Sequence, residues 1–324
     1  MAIRKKVVVF RAIAQDLLAR IQQQHDVVFI DPRQGDGYHR FLAAMEDAQG
    51  LMGSSLQLGP AQLQHAAQLE VISSMSVGVD NYDLAFLKAR QIMLCHTPGV
   101  LTETTADAIF GLILCTMRRL PELSQYVRTG SWVRPIGEDL YGWDVHGKTL
   151  GILGFGRIGQ AVARRAALGF GMPVVFHNTQ AVAVTPAMGK VQQLAWEHVL
   201  RTADVLVCTL PLTDQTRGLV DAEAFQAMKP GAVFINGSRG AVVVESALLH
   251  ALNHGSLRAA GLDVFEVEPL PLESALRTHP RVTALPHLGS ATHETRRRMA
   301  EMATDNLLLA LSGQVPLAQC APPA

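Results

Sequence analysis

Three glycines, Gly154, Gly156 and Gly159, stand in the spacing G-x-G-x-x-G within GILGFGRIGQ, residues 151–160. Glycine serves wherever a backbone needs positive φ or must approach something closely. The spacing therefore admits two readings: a plain turn, or a cradle whose main-chain N–H groups hold a pyrophosphate. What flanks the glycines decides between them. An apolar run at 149–153 leads in, and the Ala-rich stretch IGQAVARRAALGFG continues as a helix that a glycine pair ends. Strand, glycine turn and helix come in the order that aims free helix N-terminal N–H groups at a phosphate, which points to a dinucleotide. A group for the adenosine ribose is then expected about 20 residues further on, at the end of the next strand. His177 stands there, followed by Asn178, Thr179 and Gln180.

Such a turn needs a sheet to hold it. Short apolar runs at 7–10, 27–30, 50–52, 71–74 and 92–95 alternate with helix-like stretches such as 14–24 and 60–67, which predicts parallel strands with crossover helices. This first α/β series ends near His96-Thr97-Pro98. A second series begins at 149–153 and continues through 174–177, 205–209, 233–236, 259–263 and 282–285, with the glycine turn after its first strand. Between the two, LTETTADAIFGLILCTMRRLPEL reads as one long helix with Thr102 as its cap and Pro121 near its end. The following stretch carries Trp132, Tyr141 and Trp143 with few regular signals. It is either an irregular connection packed on its own domain or an arm whose aromatics mark an association surface. No internal repeat is visible, and no low-complexity tract beyond the final Ala-Pro-Pro-Ala.

The chain has 324 residues, 48% of them hydrophobic, enough for two domains with a core each. Lys plus Arg and Asp plus Glu number 28 each, so no net positive field recommends a nucleic acid. The N-terminal apolar run is interrupted by Arg11 and Asp16, too early for a secretory signal, and no run approaches the ~18 apolar residues of a membrane span. A cytoplasmic protein is expected. Cys95, Cys115, Cys208 and Cys320 are scattered without C-x-x-C spacing, so they read as buried, reduced thiols rather than disulfides or zinc ligands.

After the glycine turn come NGSRGAVV, GLDVFEVEP and PHLGSATHET, in that order, and before it SVGVDNYD and HTPGVLTETTAD. Together these resemble the signatures of the D-isomer-specific 2-hydroxyacid dehydrogenase family over nearly the whole chain. Within the family the likeness is greatest to the bacterial branch of glyoxylate/hydroxypyruvate and 2-ketogluconate reductases. The resemblance implies an α/β protein of two Rossmann-like domains. A doubly wound parallel sheet (99–288) would bind the dinucleotide, and a smaller, flavodoxin-like, discontinuous domain (1–98 and 289–324) would bind substrate. It further implies a homodimer, catalytic roles for Arg239, Glu268 and His287, and substrate contacts from Arg239 and the backbone of Val77 and Gly78. Arg157, Ile158 and Gly289 join Gly154, Gly156, Gly159, His177, Asn178 and Thr179 toward the cofactor. Thr104 either approaches the cofactor from the opposite wall or is a helix-face residue. Asp263 either contacts the nicotinamide ribose or amide or serves only its turn.

These residue types suit the reduction of a 2-keto acid. Arg239 follows a strand, and its planar fork can bind carboxylate and carbonyl oxygens together. His287 would give a proton to the developing alkoxide, while Glu268 hydrogen-bonds the imidazole, favours its charged form and orients it. The Arg–His pair already stabilises charge, so no metal is required. The stretch 177–180 holds no carboxylate to repel a 2′-phosphate, and His, Asn and Thr can donate to one. NADP(H) is thus favoured and NAD(H) remains possible. Arg157 either adds a charge there or faces solvent. The loop MGSSLQLG, 52–59, contains no Lys or Arg, so neutral or hydroxylated substrate tails are expected over phosphorylated ones. The competing classes are a nucleotide-sensing corepressor that keeps the cofactor site without turnover, and a formate or phosphite dehydrogenase with a tighter pocket.

Overall fold

The computed structural model describes residues 3–320; the Ala-Pro-Pro-Ala end lies outside them. The chain divides into two units. One comprises the residues up to Leu101 and from Ala291 onward, the other Thr102–Ser290.

The first unit is built on a five-stranded parallel sheet, β1 (Lys6–Val9), β2 (Asp26–Phe29), β3 (Gly50–Gly53), β4 (Val71–Ser74) and β5 (Met93–Cys95), in the order β2-β1-β3-β4-β5. That is the flavodoxin-like order, whose direction of travel reverses between β1 and β3. Successive side chains of a strand point to opposite faces. Val8 accordingly joins Phe10, Phe41, Leu51 and Ile72 in one core, while Val7 and Val9 join Leu17, Ile21, Met52 and Leu307 in another. Burial on both faces is why β1 reads as a continuous apolar run rather than an alternating one. The second of these cores is closed by the helix His293–Leu311, whose Ala303 carbonyl accepts a 2.7 Å hydrogen bond from Ser73 Oγ. Thr292 caps it by accepting from the Thr295 N–H at 3.2 Å.

The second unit holds seven parallel strands: β6 (Leu150–Leu153), β7 (Val174–His177), β8 (Val191–Gln193), β9 (Val205–Cys208), β10 (Ala232–Asn236), β11 (Leu257–Leu262) and β12 (Val282–Ala284). Their order, β12-β11-β10-β9-β6-β7-β8, is the dinucleotide-fold order with one further strand. Strand β8 escapes the sequence reading because it is three residues of Val-Gln-Gln, only partly buried at the edge, with no apolar run to betray it. The expected long helix is two. Thr102–Met117 begins at Thr102 rather than being capped by it, and Arg119 in a left-handed conformation (φ 54°) starts a second helix, Leu120–Arg128. Pro121 therefore opens a helix instead of closing one, since its fixed φ suits a first turn. That second helix buries none of its residues, and Trp132, Val133 and Tyr141 beyond it are more than half exposed. Arg119 fastens the segment by donating to Glu122 and to the carbonyls of Asp139 and Tyr141.

Of the four cysteines, Cys95 and Cys208 are buried, whereas Cys115 and Cys320 are only partly covered. Among the described residues no helix is long and apolar enough to cross a membrane.

Candidate active site

The three glycines of the turn after β6 are glycines for three different reasons. Gly154 has φ +89°, and a Cβ there would lie 3.1 Å from the backbone of Leu210. Gly159 sits where a Cβ would come within 2.4 Å of the Gly154 carbonyl oxygen, so the helix Arg157–Arg164 packs tightly onto its strand. Gly156, the N-cap of that helix, has nothing within 4 Å of its missing Cβ. Open space therefore lies against the first-turn N–H groups, which have no acceptors within the helix. A pyrophosphate fits this arrangement: close approach at Gly156, unpaired donors, and the positive end of the helix dipole. Arg157 is exposed and Ile158 partly exposed on the same turn.

At the end of β7, His177 places Nδ1 3.3 Å from the Leu194 carbonyl oxygen and its ring edge-on to Trp196. Asn178 does work the sequence did not announce. Its Oδ1 accepts the Phe155 N–H at 3.2 Å and its Nδ2 donates to Gln180, so the side chain ties the glycine turn to the loop after β7. Thr179 is exposed. Thr104 lies in the first turn of the helix Thr102–Met117. Its neighbour Glu103, with Asp107, pairs with Arg164 and Arg165 and so holds the far end of the glycine-turn helix.

The residues read as catalytic stand on three loops of the second sheet. Arg239 follows β10 and donates from Nη1 to the Ser238 carbonyl at 2.9 Å. The loop beneath it is ordered by Asn236, 1% exposed. Its Oδ1 accepts from both the Ser238 N–H and Oγ, and its Nδ2 donates to the Arg239 carbonyl. An Asn at a strand end followed by Gly is a turn signal, and it could have singled out Asn236 in the sequence. Gly240 comes next, where a Cβ would fall 1.8 Å from the Phe265 carbonyl carbon. Only a glycine lets the Arg239 loop and the Phe265 loop touch.

Glu268 grows from that second loop, its Oε1 accepting the Phe265 N–H at 3.0 Å. Its Oε2 is 2.6 Å from His287 Nδ1. Burial pushes the Glu268 carboxyl up, but the hydrogen bonds from His287 and Phe265 and the charges of His287 and Arg239 outweigh it, leaving the group below its ordinary value. It is thus a carboxylate, and the His287 Nδ1–H donates to it. Nε2 is left for a substrate.

His287 follows β12 with φ +52°, a left-handed backbone rare for a residue with a Cβ. Asp263 holds it there. This aspartate is 5% exposed, and its two oxygens accept the N–H groups of Leu288 (2.8 Å) and Gly289 (2.9 Å), the residues directly after the histidine. Burial raises its carboxyl pKa despite those donors. In the first unit, Val77 and Gly78 follow β4 in a loop fixed by their carbonyls. His96 Nδ1 contacts Val77 O at 3.1 Å and Ser76 Oγ donates to Gly78 O at 2.5 Å. Among the described residues no group of three or more His, Cys, Asp or Glu is gathered as a metal site.

The family model described as D-isomer specific 2-hydroxyacid dehydrogenase, NAD binding domain, matches residues 110–289. The glyoxylate/hydroxypyruvate reductase B of Citrobacter koseri is 44% identical over 312 residues, 96% of either chain. A crystal structure from Thermus thermophilus superposes with a TM-score of 0.89 at 40% identity, over 98% of this chain and 100% of that one. The NADPH-dependent glyoxylate/hydroxypyruvate reductase of Sinorhizobium meliloti, solved with NADP and malonate, gives 0.86 at 34% identity over 98% and 97%. With its strand order, glycine turn and matching sequence, this chain belongs to the D-isomer-specific 2-hydroxyacid dehydrogenase family.

Proposed function

We propose that the protein reduces small 2-keto acids of the glyoxylate and hydroxypyruvate type to D-2-hydroxy acids, using a hydride from NAD(P)H. The observation that carries this reading is the 2.6 Å contact of His287 Nδ1 with Glu268, whose loop Gly240 brings against the loop of Arg239. When bound, the nicotinamide cofactor supplies the hydride. Residues 154–159 would take its pyrophosphate, His177, Asn178 and Thr179 its adenosine ribose, and Thr104, Asp263 and Gly289 would flank its other end.

The chain's own residues do the rest. Arg239 grips the carboxylate and carbonyl oxygens through its fork and draws electron density from the carbonyl. The N–H groups of Val77 and Gly78 hold the carboxylate. As hydride reaches C2, the carbonyl π bond breaks and its oxygen takes a proton from His287 Nε2, so a C–H and an O–H bond form. Glu268 stays ionised throughout and keeps the imidazole aimed. In the oxidative direction His287 accepts the proton back.

In this reading the Thr102–Ser290 unit binds the cofactor and the other unit the substrate. The absence of a carboxylate at 177–180 supports NADPH over NADH, and the S. meliloti relative is NADPH-dependent. Exposed Trp132, Val133 and Tyr141 on a helix-led arm support a homodimer. We place the protein in the cytoplasm on its unpaired cysteines. Loss of NADPH absorbance with glyoxylate, hydroxypyruvate or 2-ketogluconate tests the activity. Failure of all three with both cofactors overturns it.

A further inference from the structure

A cavity of about 320 Å³ opens at the carboxyl ends of β1, β3 and β4, wholly within the first unit. It lies where that sheet reverses its strand order, the place where open α/β sheets take ligands. Its apolar lining comes from Ile13, Met75 and Met299; Ser54, 3% exposed, follows β3. Three arginines face it: Arg11 just past β1, and Arg296 and Arg297 in the first turns of the helix His293–Leu311.

These arginines differ in what they bind. Arg297 donates to both oxygens of Asp16, at 2.7 and 2.5 Å, and to Glu301 at 2.6 Å. The guanidinium groups of Arg11 and Arg296 make no hydrogen bond or ion pair with any described residue. The carboxylate whose charge reaches Arg11 is Asp31, and it already accepts from the Arg33 backbone and side chain. Burial, and then the charges of Arg33 and Arg296, hold Arg11 below its usual pKa; burial alone does so for Arg296. Two partly desolvated cations that repel one another and lack a carboxylate are unfavourable until an anion arrives. A cation in the first turn of a helix also opposes the helix dipole, where an anion would be favoured.

We propose that this cavity is an anion subsite, with Arg11 and Arg296 as its donors, for a second acidic group on the tail of the substrate. The proposal rests on the 2-keto acid reading above: Met75, which lines the cavity, stands two residues before Val77, whose backbone would hold the first carboxylate. It replaces the expectation of neutral tails. That expectation came from the 52–59 loop alone, whereas the arginines come from opposite ends of the chain.

The test compares kcat/KM for matched pairs, 2-oxoglutarate with 2-oxopentanoate and phosphohydroxypyruvate with hydroxypyruvate. The charged member of at least one pair should be favoured about ten- to hundredfold, the scale of a charge-assisted hydrogen bond. Whichever pair shows the larger preference tells carboxylate from phosphate. Arg11→Gln and Arg296→Gln should each abolish most of that preference while leaving glyoxylate turnover less affected than the charged tail. Neutral members favoured throughout, a preference that survives both variants, or an equal loss on glyoxylate overturns the subsite. A second arm needs no turnover: glutarate, but not pentanoate, should raise the melting temperature of the wild type and of neither variant. If no keto acid is reduced yet glutarate stabilises in this pattern, the reductase reading fails and the anion site stands. If glutarate does not stabilise the wild type, the site itself fails. Neither arginine has a native ion pair to lose, so unliganded variants should melt no lower than wild type, and a lower melting point for both makes the charges structural and overturns the proposal.

Discussion

Both sheets place their proposed site residues at the carboxyl ends of parallel strands, yet they hold them differently. In the second unit the loops are fixed from beneath. Asn236 and Asp263 are nearly fully buried and spend their polar atoms on backbone groups around Arg239 and His287. Gly240 lets two loops touch, and Asn178 ties the glycine turn. In the first unit, Val77 and Gly78 are held through Ser76 and His96, and the guanidinium groups of Arg11 and Arg296 bond to no described residue. Where charge must develop in a fixed place, donors arranged beforehand are worth most, because they need not reorganise during the reaction. Where the task is to accept one tail rather than another, a lighter hold suffices. On the proposed function, the closely braced loops of the second unit would set how fast the reaction goes, and the more lightly held groups of the first which molecule undergoes it.

The largest expected effect tests the rigid side. His287→Asn keeps a side chain tolerant of the left-handed backbone while removing the proposed proton donor. It should lower kcat by roughly 10²–10⁴-fold, with the dissociation constant for NADPH nearly unchanged. A variant that keeps most of its turnover removes His287 from this role.

Next is Gly240→Ala. A Cβ placed 1.8 Å from backbone cannot be accommodated by a side-chain rotation. The two loops must part, at a cost of about 1–3 kcal/mol or more by overpacking, with activity falling alongside the melting temperature. An alanine variant of full stability and activity would mean that the loops were never held together.

Glu268→Gln should reduce kcat by about ten- to hundredfold through loss of a charge-assisted hydrogen bond. It also has a pH signature. Glu268 sits below its ordinary value in the folded protein, so its ionised form adds stability above the usual glutamate pKa of about 4.3, and that contribution disappears as pH falls through the folded value. The gap in melting temperature between wild type and Glu268→Gln should therefore hold steady from about pH 7 to about pH 5 and narrow only as pH falls below about 4.3. A constant gap would mean the pairing adds nothing to folding.

The smallest effect belongs to the looser unit. Ser76→Ala removes the hydrogen bond to the Gly78 carbonyl and should raise KM for the keto acid by about two- to tenfold with kcat little changed. A loss in kcat as large as that of Glu268→Gln would erase the contrast between the units.

Much of this was legible in the sequence. Buried parallel strands announce themselves as unbroken apolar runs, and the glycine spacing with its flanking strand and helix marks the turn. The motif residues Arg239, Glu268 and His287 do stand on neighbouring loops, joined by the Gly240 crossing and the His287–Glu268 contact. What could not be read is whatever depends on a side chain meeting distant backbone. Asp263 reads in the sequence as either a cofactor contact or a turn residue, and only the fold shows its two oxygens accepting the N–H groups of Leu288 and Gly289. Strand β8 is too short and too polar to carry a periodicity. Arg11 and Arg296 share a cavity because the last long helix returns to the first sheet, a fact absent from any single stretch of sequence.

That returning helix also sets an order of events during synthesis. Val7, Val9, Met52 and Val71 lie in a core that Ala303, Leu307 and Leu311 complete. A ribosome must make the whole intervening unit before that cover exists, about 190 residues, or roughly 10–40 s at 5–20 residues per second. For that interval one face of the nascent sheet is bare and sticky, while the inserted unit, complete in its own strands, is free to fold. The part of the protein made first is thus the last to be finished, and it is the stretch for which a chaperone has time to matter.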